Sequence, residues 1–152
     1  MKRDTRLSAM LHVLIHMAEH ADPTTSDALA GYMATNPVVV RRTMAGLREA
    51  GIVVSERGHG GGWRLARGAH EITLAEIHDA LGRPGLFAIG HRSDAPQCLA
   101  EQAVNAALDD TFEEAERIVR IRLSAITLAD IARDFAARVA RHPTAGKGHS
   151  HA

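Results

Sequence analysis

The apolar positions of the chain change their period along its length, and each change marks an element. Leu7, Met10, Leu11, Leu14 and Ala18 recur at helical spacing and predict a first helix over 7–19, closed by Ala21-Asp22-Pro23-Thr24. Thr25 or Ser26 can cap a short second helix to about residue 34. Asn36-Pro37 opens a third helix, because asparagine accepts from the first amides and proline at the first turn has no amide to lose. That helix should reach Ala50, where Gly51 provides the stop. The period then shortens to two. Ile52-Val53-Val54-Ser55-Glu56 and Trp63-Arg64-Leu65-Ala66 flank Arg57-Gly58-His59-Gly60-Gly61-Gly62, which reads as a short β-hairpin with a basic, side-chain-poor tip. Its glycines let the backbone reverse tightly and approach a neighbouring surface closely.

Helical spacing then returns. Thr73 can cap a helix with Leu74, Ile77 and Leu81 inside, ended by Gly82-Arg83-Pro84-Gly85, and a loop runs through Ala95-Pro96. A long amphipathic helix over 99–124 carries Leu108, Phe112, Ala115, Val119 and Arg122 near one stripe, with Ile118 and Ile121 on its flank. Thr127 caps a last helix with Leu128, Ile131 and Phe135. Three short helices followed by a glycine-tipped hairpin predict a winged helix-turn-helix. The fold class is mainly α with a small β-hairpin wing (α+β), and with a long C-terminal dimerisation helix. The expected division is a DNA-binding domain over 1–82, a linker over 83–97, a helical arm over 98–141 and a disordered tail over 142–152. The long stripe is more apolar surface than one small domain covers, and a second copy would bury it through Leu108, Phe112, Ala115 and Val119. Packing back on the same chain is the plainer alternative.

The third helix reads face by face. Val39, Val40, Thr43, Met44 and Leu47 gather on the side expected to meet the core. Val38, Arg41, Arg42, Ala45 and Arg48 fall opposite, where small residues permit close approach and arginines can reach guanine edges or phosphates. A solvated basic face would look the same in isolation. Its place between a capped short helix and a basic wing points to DNA.

Charge sharpens this reading. The net charge is +0, but residues 1–67 hold nine Lys/Arg against six Asp/Glu (9 − 6 = +3), and residues 68–152 hold nine against twelve (9 − 12 = −3). Only the front half suits a polyanion. No apolar run approaches the roughly 18 residues that span a bilayer. Met1-Lys2-Arg3-Asp4 leads into an amphipathic segment rather than a signal peptide, so a cytoplasmic protein without membrane contact is expected. No nucleophile elbow, phosphate-binding loop, dinucleotide fingerprint or zinc-protease motif occurs, which argues against an enzyme.

The runs Arg6-Leu7-Ser8-Ala9-Met10-Leu11, Leu47-Arg48-Glu49-Ala50-Gly51-Ile52-Val53, Arg57-Gly58-His59-Gly60-Gly61-Gly62-Trp63-Arg64-Leu65-Ala66-Arg67 and Glu71-Ile72-Thr73-Leu74-Ala75-Glu76-Ile77 resemble the Rrf-two (Rrf2) family of bacterial transcription regulators, to about residue 135. The resemblance implies a homodimer on a partly palindromic operator in double-stranded DNA. A compact dimer with no activation surface can act by occupying a promoter, so a repressor is expected. It places Asn36, Val38, Arg41 and Arg42 at recognition-helix positions and Arg57, beside His59, at the wing position that enters the minor groove. Val38 and Arg41 stand where the family's iron–sulfur member has small polar and acidic residues, so the operator should differ. His59 stands where proline is common.

Cluster-binding relatives place three cysteines ahead of the long helix, whereas this chain has only Cys98. One thiolate cannot hold a typical cluster, so no cofactor is expected, and the chain looks more like the cluster-less, YwnA-type branch. Cys98 near a helix N-terminus would have a lowered pKa, permitting oxidation, adduct formation or an intersubunit disulfide as a switch. A small side chain without a role is the plain alternative. His12, His16 and His20 follow i, i+4, i+8 spacing, but project opposite the Leu7–Leu11–Leu14 stripe and are expected to be solvated rather than to form a metal site. Two other readings stay open: a winged-helix module that binds protein, and a metal-responsive regulator using surface histidines.

Overall fold

A computed structural model of the chain describes residues 4–87, 90–93 and 95–142. Of the tail expected to be disordered, 143–152 lie outside the described residues. The elements are α1 (Arg6–Glu19), α2 (Ser26–Met33), α3 (Pro37–Glu49), β1 (Val53–Glu56), β2 (Gly62–Leu65), a 3-10 turn (Ala69–Glu71), α4 (Leu74–Ala80), α5 (Leu99–Ser124) and α6 (Leu128–Arg141). This is a winged helix-turn-helix, three helices and a hairpin, followed by three further helices.

Local chemistry sets most boundaries. Thr25 caps α2 by accepting from the amide of Ala28 at 3.2 Å, and α2 stops at Ala34, whose φ of 49° is left-handed. The Asn36 side chain accepts from the amides of Val38 and Val39 at 3.0 and 3.1 Å, with Pro37 in the first turn of α3. Such a cap is worth about 1 kcal/mol. The strands pair antiparallel with Val53 opposite Leu65 and Glu56 opposite Gly62.

The core gathers where these elements meet. Met10, Val13 and Leu14 of α1, Leu29 of α2, and Val40, Met44 and Leu47 of α3 are fully buried with Ile52, Val53, Ile72, Ile77 and Leu128. Each such aliphatic side chain contributes about 1.5–3 kcal/mol through burial. Two expectations are corrected here. The buried face of α1 is rotated toward Val13 and Met17, leaving Leu7, Leu11 and Ala18 only half-buried. Val39 does not enter the core but is 43% exposed. It lies one residue, about 100° around the helix, from buried Val40, and so off the buried stripe of Val40, Met44 and Leu47.

Helix α6 closes the core through a repeat in the chain. Ile72-Thr73-Leu74-Ala75-Glu76-Ile77 and Ile126-Thr127-Leu128-Ala129-Asp130-Ile131 differ only by Glu for Asp. Each threonine caps its own helix and is answered by the acid three residues on, forming a capping box. The two motifs also pair with each other. The Leu74 amide donates to the Ile126 carbonyl at 3.0 Å, and the Leu128 amide donates to the Ile72 carbonyl at 2.8 Å. Both helix starts are thereby satisfied in one reciprocal bridge, with Leu128 in the core and α6 packed along α1.

Helix α5 is held differently. Arg120 donates both guanidinium ends to Asp79 of α4 at 2.7 and 2.6 Å. Those bonds, helped by Arg83 and opposed by partial burial, hold the Asp79 carboxyl down to about 2. The tie therefore stays ionised at all ordinary pH values. Nearer its start, α5 fastens the preceding segment: Gln102 donates to the Pro96 carbonyl, Asn105 donates to the Ser93 carbonyl, and Asp109 meets His91.

Candidate nucleic-acid interface

The grip proposed from the sequence would need a helix and a wing held in fixed relation. Trp63 sets that relation. Its ring is buried, its indole N–H donates to the Ser26 hydroxyl at 3.0 Å, and its backbone exchanges two 2.8 Å hydrogen bonds with Thr24. The wing is thus clamped to the segment that starts α2. Gly62 is required at this crossing: a Cβ there would lie 2.6 Å from the Thr24 carbonyl oxygen. At the tip, Gly58 and Gly60 take φ of 95° and 77°. Arg67 locks the far end of the hairpin, donating to the Gly51 carbonyl after α3, to the Glu71 carbonyl, and to the Glu76 carboxylate at 2.6 Å.

On α3, Arg41, Arg42 and Arg48 are exposed, Val38 is 62% exposed and Ala45 is half-buried. Arg57 and His59 are exposed at the wing tip. Asn36 spends its side-chain oxygen on the α3 cap. Val39 is the residue that the helical pattern assigned to the wrong face. The i, i+4, i+7 spacing of Val40, Met44 and Leu47, which leaves Val39 on the flank of the stripe, was the available signal.

The other candidates lie apart from this surface. Leu108, Phe112, Ala115 and Val119 are half-buried against their own chain, where Phe112 stacks on Phe87 at 5.9 Å. The flank is barer: Ile118 and Ile121 are more than half exposed, and so are Val104 and Leu99. Cys98 is exposed at the N-cap of α5. It makes no capping hydrogen bond of full geometry, yet the Glu101 and Ala100 amides lower its pKa below the ordinary thiol value. His12 and His20 are exposed, but His16 is not solvated as expected. It lies half-buried, 3.0 Å from His12, stacked flat on Tyr32 at 4.6 Å and edge-on to Phe135 at 5.8 Å. The rotation of the α1 face toward Met17 brings it there.

The profile of the Rrf2 family, described as an iron-dependent transcriptional regulator, matches residues 3–134. The chain belongs to the Rrf2 family. It is 33% identical over 129 residues to YwnA of Bacillus subtilis (strain 168), named as an HTH-type transcriptional regulator, covering 84% of this chain and 95% of YwnA. The regulator IscR of Photorhabdus laumondii is 30% identical over 92 residues, 60% of this chain and 50% of IscR. Among solved structures, CymR of B. subtilis, the global cysteine regulator, superposes with a TM-score of 0.56 at 25% identity, covering 88% of this chain and 97% of CymR. IscR of T. potens shares the fold, with a TM-score of 0.63 at 23% identity over 88% of each chain. These Rrf2 proteins are transcriptional regulators, and the chain is a regulator rather than an enzyme.

Iron dependence in the family's description does not fit the donor set of this member. The sequence has one cysteine, and among the described residues no three His, Cys, Asp or Glu side chains are grouped to hold a metal. No helix among the described residues is long and apolar enough to cross a membrane.

Proposed function

We propose that this Rrf2 regulator is a homodimeric repressor that grips a partly palindromic operator at two points per protomer and works in the cytoplasm. The observation that carries the reading is the shared exposure of Arg41, Arg42 and Arg48 on α3 and Arg57 on a wing clamped to the same core by Trp63. Arg41 and Arg42 enter the major groove with Val38 and Ala45 close to the bases. Arg48 and the Asn36 amide face the backbone, and Arg57, with His59 beside it, reaches the neighbouring minor groove. The reader spans 1–82. An arm over 98–141, joined by the 83–97 segment, brings two readers together through the α5 surface around Leu108, Phe112, Ala115 and Val119. The exposed Ile118 and Ile121 extend that surface. Repression follows from occupancy of the promoter.

A salt titration with a random-sequence duplex tests the core of this reading. The protein carries no net charge, so only a local cluster of cations can release counterions. The logarithm of affinity is expected to fall by about 0.9 per phosphate contact for each tenfold rise in salt. No binding to any duplex at low salt would end the proposal.

Cys98 is the proposed switch. A lowered thiol pKa and full exposure favour the thiolate, which peroxide oxidises to a sulfenic acid. Peroxide is expected to weaken operator binding by the wild type and to leave Cys98→Ser unaffected. Equal responses of the two proteins would remove Cys98 from the mechanism.

A further inference from the structure

Val38 and Val39 are neighbouring apolar side chains standing in solvent on the opening turn of α3, 62% and 43% exposed. Valine is a poor choice for a solvated helix surface, since it has lower helix propensity than alanine, lysine or glutamate and gains nothing from water. In a helix it is also stiff, held almost wholly in one χ1 rotamer, so the two residues present methyl groups in a fixed arrangement. The backbone of this turn is already committed. Asn36 takes the amides of Val38 and Val39 at 3.0 and 3.1 Å. Beyond the Asn36 cap, the opening turn therefore offers a partner methyl groups rather than backbone hydrogen-bond donors. Arg41 and Arg42 follow directly and are exposed, so the occupant of the apolar patch must lie beside negative charge.

We infer that Val38 and Val39 read the 5-methyl group of thymine, making a thymine beside the arginine-contacted bases an obligatory feature of each half-site. The major-groove edge of DNA is the surface that sets an apolar methyl among acceptors and close to phosphates, and thymine alone of the four bases supplies that methyl. The N-terminal residues of a recognition helix are the ones that meet base edges. This inference rests on the DNA-binding reading above and adds the base that is read.

The test begins with selection of a bound sequence from a randomised duplex library by the full-length protein. That duplex is then made with each thymine replaced in turn by deoxyuridine, which removes only the methyl. For the wild type, one or two adjacent replacements in a half-site are expected to weaken binding about fourfold per methyl lost. For Val38→Ala or Val39→Ala the same replacement should have no effect at the matching position, because the methyl has lost its contact. Both variants raise helix propensity at exposed sites, so their thermal melts should lie no lower than that of the wild type. Selected sequences that bind tightly but tolerate every replacement would overturn the inference while leaving DNA binding intact. So would losses that persist unchanged in both variants. Failure of any sequence to enrich, with no duplex binding at low salt, would overturn both.

Discussion

Trp63→Ala is expected to lower the stability of the whole domain by about 3–5 kcal/mol, the range for removing a buried aromatic side chain. A domain of this kind is stable by about 5–15 kcal/mol, so the variant should be marginal at growth temperature. Two effects add at this site. The cavity lies where α1, α2 and β2 meet, since Trp63 is buried in the core that Met10 and Leu29 share. The indole also fastens the wing to Ser26. The two can be separated, because Ser26→Ala removes only the hydrogen bond and should cost about 1 kcal/mol. Chemical denaturation of the two variants measures both values. A Trp63→Ala cost no larger than that of Ser26→Ala would mean that the ring is not what holds the wing.

The second large effect is on binding. Replacing Arg41 and Arg42 together by alanine is expected to weaken affinity for the selected operator by roughly a hundredfold or more, at about 1–3 kcal/mol per base-directed arginine. The loss on random duplex separates the roles of the two. An arginine on phosphate weakens every sequence alike and lowers the salt slope by about one unit, whereas an arginine on a guanine edge leaves random duplex nearly untouched. Stability should not change, because both side chains are exposed. Affinity within twofold of the wild type would mean that α3 does not face the operator.

The parts of the fold legible in the sequence are those decided within a few residues. Asn36-Pro37, Thr73 and Thr127 begin their helices as expected, since a cap needs only its own hydroxyl or amide oxygen and the next three amides. The hairpin is equally local. What escaped the sequence depends on partners far along the chain. Periodicity gives the direction of an apolar stripe to within a turn fraction, and on α1 the actual face was rotated enough to bury Met17 and draw His16 against Tyr32 and Phe135. The exposure of Val39 follows from how narrowly the core covers α3 around the stripe of Val40, Met44 and Leu47. The tie of Arg120 to Asp79 joins residues 41 positions apart, among many arginines and acids that could have paired instead. The repeated Ile-Thr-Leu-Ala motif was in plain view as a signal, since identical caps with identical flanking apolar residues invite the reciprocal bridge that the two motifs form.

That bridge has a consequence for synthesis of the chain. The proposed recognition helix α3 is complete at Glu49 and the hairpin at Leu65, yet Leu128, fully buried in the same core, emerges much later. Until it does, the nascent chain leaves apolar core surface uncovered and the Leu74 amide and the Ile72 carbonyl without the partners they have in the native protein. The arm helix α5 is translated inside this interval. Domains fold as units during translation, N-terminal parts first. Here the core is completed only by α6, the last described helix, so a chain stopped before Leu128 would leave that core unfilled.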